Sequence, residues 1–425
     1  MRVNRSEAPA FRIPDQINLM PPEHRTLAGG IPLYYMPSPS IEAVKIELIF
    51  PVHYSKAVLE KPLLPFFMLH MVLEGTTELP SEALDDFFDF HGSEVEVISG
   101  YERQGLSLLT TRKHLEKVLP VFRSLFTSAT FPEKSLARKK SQKKLSIGIQ
   151  REQTSARANQ LIRAALAGKS HPFGYQATEN DVDAISREDL LEYYSFGFLS
   201  RPQLFVTGNL PEDSISTIAK SFEDLPLIVP KNDYFPVSRT ARHREVEKKD
   251  GALQSSIRMG KWMVPMAHPD FPALSVFNTF LGGYFGSRLI KNIREEKGYT
   301  YGINSFLSNL YGSNYWMVAA EVKGGHGAEV IEEVYREIEL LTRKPIPEEE
   351  IEIVRNYLSG ALLANFSSPF DLMGHFQQVH FQGLDLSHFS RQLDFIKNFE
   401  EKDLKATAGK YFEAGEMQEI IAGMV

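Results

Sequence analysis

One arrangement of apolar runs and glycines occurs twice along the chain, and that duplication limits the fold more than any other feature. In the first half the strand-like run IELIF at 46–50 leads into an apolar helix ending near Leu73, then Gly75, then the amphipathic SEALDDFFDFHG closing at Gly92. Two strand-like runs follow, EVEVISGYE and QGLSLLTT, and then a helix from about Arg112. In the second half SSIRMGKWM at 255–263 leads into an apolar helix through Phe280, the pair Gly282 and Gly283, and SRLIKNIREEKG closing at Gly298. Two strand-like runs follow again, YTYGINSFLS and YWMVAAEVK, and a helix from about Gly327. The spacings Gly75 to Gly282 and Gly92 to Gly298 differ by one residue, a coincidence that unrelated strings of helices and strands rarely produce.

Length agrees with duplication, because 425 residues exceed what a single core usually supports. Each half carries a later helix opened by proline, at Pro132-Glu133 and Pro347-Glu348, where a fixed φ and an early carboxylate suit the first turn. Pro226, Pro230 and Pro236, followed by mixed charge, mark a linker. The expected division is an N-terminal domain at 1–225, a linker at 226–249 and a C-terminal domain at 250–425. The expected class is α+β, each unit a mostly antiparallel sheet with helices packed on one face.

Several kinds of function are set aside by composition. A net charge of −7 provides no global field for nucleic acid or an anionic membrane surface. The absence of cysteine removes disulfides, thiolate metal sites and a cysteine nucleophile. The opening residues carry Glu7, Asp15 and two prolines, unlike a secretory or organelle leader, so the expected residence is cytoplasmic. The apolar stretch LLPFFMLHMVL at 63–73 falls short of the roughly 20 residues that span a bilayer.

Catalytic vocabulary is thin. His375 and His380 are five apart, which on a helix turns them away from each other, unlike a metal clamp at i, i+4. The string GGHG around His326 reads as a turn into a helix. No GxSxG elbow, Walker loop or GxGxxG fingerprint occurs. The basic cluster Arg138, Lys139, Lys140, Lys143 and Lys144 reads as a solvated helix face, with no aromatic residues between the charges for base stacking.

Two segments stand above this background, FFMLHMVLEGT at 66–76 and SRLIKNIREEKGYTYGINS at 287–305. With the duplicated plan, the SHPFG stretch from Ser170 and the LFVTGNL run from Leu204, they resemble the M16 metallopeptidase family, also called the pitrilysin, insulinase or mitochondrial processing peptidase family. The resemblance covers nearly the whole chain. Active members carry H-x-x-E-H followed by M-x-x-x-G-T, in which two histidines on one helical face bind zinc and the glutamate polarises water. In the register set by HMVLEGT, Phe66 stands at the first histidine, Leu69 at the glutamate and His70 at the second histidine. A lone imidazole beside two apolar side chains cannot hold zinc and leaves no general base. The family's third ligand lies in a pattern like E-E-I-x-x-x-E, matched best by SIGIQRE, with Ser146 and Ile147 at the glutamate positions and Glu152 retained.

The second segment keeps the family's R-E-x-x-G-x-x-Y as Arg294, Glu295, Gly298 and Tyr301. Arginine offers planar donors for peptide carbonyls, and a tyrosine hydroxyl can donate to an oxyanion in the transition state. The resemblance therefore implies a noncatalytic, substrate-binding subunit, inactive alone and without zinc of its own. Its partner would be a catalytic M16 subunit with an intact H-x-x-E-H that carries the zinc, and the two would enclose unfolded peptides. EVEVISGY occupies the place of the family's peptide-pairing edge. The alternative is a structural M16-like subunit of a larger assembly, as in a respiratory complex, with no peptide grip.

Overall fold

The computed structural model describes residues 13–225, 241–412 and 414–424. The first sheet contains β1 (Glu23–Thr26), β2 (Pro32–Pro37), β3 (Ala43–Pro51), β4 (Glu94–Ser99), β5 (Arg103–Thr111) and β6 (Gln203–Gly208), in the order β1-β2-β6-β3-β5-β4. The second contains β7 (His243–Lys248), β8 (Gln254–Met263), β9 (Thr300–Leu310), β10 (Ser313–Lys323) and β11 (Gln418–Gly423), in the order β7-β11-β8-β10-β9. Among the described residues only β2–β6 and β7–β11 pair in parallel; the other ladders are antiparallel. With β1 set aside, the sheets correspond strand for strand in order and direction, so the repeat in the sequence is a repeat in topology. The fold is α+β.

Residues 243–248, expected within the linker, form β7. HREVEK has the charge of a linker because β7 is an outer strand, exposed or half-buried along its length, and an edge strand favours charge. Of the rest of the expected linker, 226–240 lies outside the described residues. Among the described residues no helix is long and apolar enough to cross a membrane.

Alternation along β3 sends Val44, Ile46, Leu48 and Phe50 to one face of the first sheet, where they pack with helices of the same half, Leu64–Met71, Leu115–Thr127 and Glu212–Phe222. In the second half, Ile257, Met259, Trp316 and Val318 face helices Phe271–Asn278, Gly327–Arg343 and Glu401–Tyr411 in the same way.

The opposite faces are covered by exchange, which neither half shows when read alone. Helix Thr154–Ala167, from the first half, lies on the second sheet, with Ala158, Leu161 and Leu166 against Trp262, Met317 and Ile420. Arg157 binds Glu247 of β7 at 2.6 Å, and Arg258 of β8 donates to Asn159 at 2.6 Å. Reciprocally, helix Pro369–His380 covers β2 and β6. Phe376 meets Tyr34 at 5.3 Å between ring centres, and Gln377 donates to Glu47 at 2.7 Å.

Candidate functional site

Helix Leu64–Met71 begins with Pro65 in its first turn, and Leu64, Phe67, Met68, Leu69 and Met71 are all buried. It tightens into the 3₁₀ turn Val72–Glu74 and ends at Gly75, whose φ of 126° suits glycine and whose missing Cβ leaves room for the backbone of Leu79 to Ser81. Phe66 and His70 stand one turn apart, with ring centres 4.2 Å apart. His70 Nδ1 lies 2.8 Å from the Phe66 carbonyl oxygen and donates to it. Burial, reinforced by Lys139 and Lys143, pushes the His70 pKa below its ordinary value and favours the neutral ring.

A cavity of about 450 Å³ opens beside this helix. Phe66 and Leu69 line it, and so does Ile147 from helix Glu133–Glu152; His70 and Ser146 do not. One turn before Ile147, Lys143 lays its ammonium 3.8 Å from the centre of the Phe66 ring, and burial lowers its pKa. The residues do not fit zinc. Phe66, Leu69 and Ile147 turn apolar side chains to the cavity and Lys143 brings a cation, and among the described residues no group of three or more His, Asp or Glu side chains is arranged to hold a metal ion.

The basic cluster on this helix is only partly a solvated face, with Arg138 exposed and the four lysines half-buried. Arg138 and Lys139 both pair with the buried carboxylate of Glu74, Lys144 pairs with Asp183 at 2.6 Å, and Lys143 turns inward. The charges fasten the helix to its neighbours. His380 meets Gln203 of β6 at 2.8 Å while His375 meets Gln378, so the two histidines serve different contacts. His326 stacks on Tyr299 with centres 4.2 Å apart, where the glycine string turns into helix Gly327–Arg343.

Arg294 lies in Ile290–Glu296, which is wound wider than an α-helix, as π-type turns are. Gly298, at φ 64°, turns the chain toward β9. The Arg294 guanidinium stacks 4.6 Å from the centre of the exposed Phe285 ring, and among the described residues no carboxylate pairs with it. Tyr301 is the second residue of β9, the outer strand of its sheet, and is 93% exposed. Neither residue lines the cavity beside Phe66. The structure thus gathers Phe66, Leu69 and Ile147 in one place and leaves Arg294 and Tyr301 outside it, presenting polar groups to the surface.

β4 holds the matching outer place in the first sheet. Among the described residues it pairs with β5 alone, and its last residue, Ser99, runs on through Gly100 and Tyr101 into the cavity. Sequence reading missed three polar members of this cavity. Tyr54 donates to the Tyr101 carbonyl at 2.5 Å, and Arg163 donates to the Tyr101 hydroxyl at 2.7 Å. They come from a loop, a hairpin and the exchanged helix, and no local pattern ties such separated segments together.

Two family models match the chain. One described as insulinase (peptidase family M16) matches residues 64–173, and one described as peptidase M16 inactive domain matches residues 184–358. Together they cover more than half of the chain. An uncharacterized zinc protease of Bacillus subtilis, YmxG, is 23% identical over 351 residues, 81% of this chain and 84% of that protein. A probable inactive metalloprotease of the same organism, YmfF, is 22% identical over 377 residues, 82% of this chain and 86% of that protein. The fold matches the crystal structure of a peptidase M16 inactive domain from Pseudomonas fluorescens with a TM-score of 0.84 at 20% identity, covering 95% of this chain and 98% of that one. With the duplicated two-sheet architecture, these matches place the chain in the peptidase M16 family.

Proposed function

We propose that the chain is a noncatalytic, substrate-binding subunit of a heteromeric M16 peptidase. The observation that carries this reading is the contrast between its two halves. The positions of zinc ligand and base hold Phe66, Leu69 and Ile147 with the Lys143 ammonium beside them, whereas Tyr301 is 93% exposed and Arg294 has no carboxylate partner among the described residues. A relative of similar length named a probable inactive metalloprotease supports it. In this reading the partner subunit carries an intact H-x-x-E-H and the zinc. Arg294 holds peptide carbonyls, and Tyr301 donates to the oxyanion opposite the partner's metal. The open edge of β4 offers unpaired backbone groups to which an extended peptide can add as a strand, with little dependence on sequence. We place the complex in the cytoplasm.

The test is reconstitution. Mixed with an M16 chain that bears H-x-x-E-H, the protein is expected to co-elute as a stoichiometric complex and to raise cleavage of an unfolded peptide above that of the partner alone. Separate elution, with no effect on cleavage, sinks the proposal. A complex whose activity ignores Arg294 and Tyr301 makes this a structural subunit instead.

A further inference from the structure

We propose that the cavity beside Phe66 binds a ligand with one carboxylate and an apolar body. At about 450 Å³ it has the size of a small-molecule site. Among the described residues its lining contains two cationic side chains, Lys143 and Arg163, and no aspartate or glutamate. Neither cation has a carboxylate partner among the described residues. Lys143 rests on the Phe66 ring. Arg163 spends one N–H on the Tyr101 hydroxyl, while its Nε is buried without an acceptor. The buried Nε is closed to a ligand, so a carboxylate in the cavity meets Arg163 through its remaining terminal N–H donors, whose planar geometry suits it.

The rest of the lining sets what the anion is attached to. Phe66, Leu69 and Ile147 form an apolar wall that stabilises a hydrocarbon or aromatic body by taking it out of water. An amine is repelled by the two cations, and a neutral amide leaves both uncompensated. The positive charge above Phe66 thus creates an anion site where the family's chemistry calls for a metal. Two sources supply this ligand chemistry, a free apolar carboxylic acid and the apolar C-terminal residue of a peptide. The inference needs no partner subunit, so its failure and the failure of the proposed pairing are separate results.

Calorimetric titration of the full chain tests it with two matched pairs of probes: octanoate against octanamide, and N-acetyl-phenylalanyl-leucine as free acid against its C-terminal amide. The acid of at least one pair is expected to bind about tenfold or more tighter than its amide, the least that a charge-assisted hydrogen bond gives. Tighter binding of the dipeptide acid than of octanoate assigns the site to peptide C-termini; the reverse order assigns it to free acids. Lys143→Met, at a side chain that makes no hydrogen bond among the described residues, is expected to abolish most of the preference for acid over amide while sparing the fold. Acid and amide binding alike in both pairs, or no probe binding, overturns the proposal, as does an unchanged preference in Lys143→Met.

Discussion

The indole nitrogen of Trp262 donates to the carbonyl oxygen of Leu166 at 2.7 Å, tying a strand of the second sheet to a helix that precedes it by 96 residues. The same indole packs against Phe173 and Tyr315. Trp262→Phe keeps an aromatic ring in place and removes the N–H, leaving the carbonyl buried and unpaired. The expected loss is about 1–3 kcal/mol, read as a lower midpoint in urea at unchanged slope. An unchanged midpoint shows that the exchanged helix does not depend on this bond.

Glu419 of β11 has no exposed side-chain surface and accepts from Arg242 and Tyr335, with Arg244 of β7 also paired to it. Burial pushes its carboxyl up, but hydrogen bonds from Tyr335, Arg242 and Arg244 outweigh that and hold it below the ordinary carboxylate value. A folded value below the unfolded one means that the stabilisation is complete above about pH 4.3 and fades as pH falls through the depressed value. Glu419→Gln is therefore expected to destabilise the protein at pH 7, with the gap to wild type narrowing in acid. A constant gap from pH 7 to pH 3 refutes the assignment.

Protein dialysed against metal-free buffer is expected to hold far less than one zinc per chain by elemental analysis. Phe66→His with Leu69→Glu is expected to leave that result unchanged, because Ile147 still turns an apolar side chain to the cavity and Lys143 repels the ion. Adding Ile147→Glu and Lys143→Ala is the smallest change expected to restore zinc. Tight zinc in the double variant would place the third ligand elsewhere.

Within a reconstituted complex, Tyr301→Phe is expected to lower kcat/KM roughly 100- to 1000-fold if the hydroxyl serves the transition state alone. Arg294→Ala acts in the same direction and raises KM as well, since a guanidinium on peptide carbonyls also binds the ground state. Subunit association and the partner's zinc content are the controls and are expected to stay constant. Wild-type rates in both variants end the case for a grip.

The paired glycines made the duplicated architecture legible, because Gly92 and Gly298, at φ 54° and 64°, take the same glycine-favouring backbone conformation at matching points of the two halves. The register set by HMVLEGT drew attention to Phe66 and Leu69, and the structure places both on the wall of one cavity. Strand β7 was not legible, since its HREVEK carries the charge of an exposed edge. Nor was the inward turn of Lys143. Five cations in seven residues look alike in a sequence, and only the positions of Glu74, Asp183 and Phe66 around the helix separate those that form ion pairs from the one on an aromatic ring. Arg163 escaped for a related reason, as it reaches the cavity from a helix that belongs to the other sheet's packing.

The helix exchange bears on the order in which the protein can be completed during synthesis. The covering helix for the second sheet, Thr154–Ala167, leaves the ribosome before any strand of that sheet exists, so its docking surface waits for β8 and finally for β11 near the C-terminus. The first sheet, with β6 finished at Gly208, must hold Tyr34 and Phe205 uncovered until Pro369–His380 has been made. Neither half can close its second face while the chain is partial, and a nascent chain stalled between the two sheets presents bare apolar strands to chaperones.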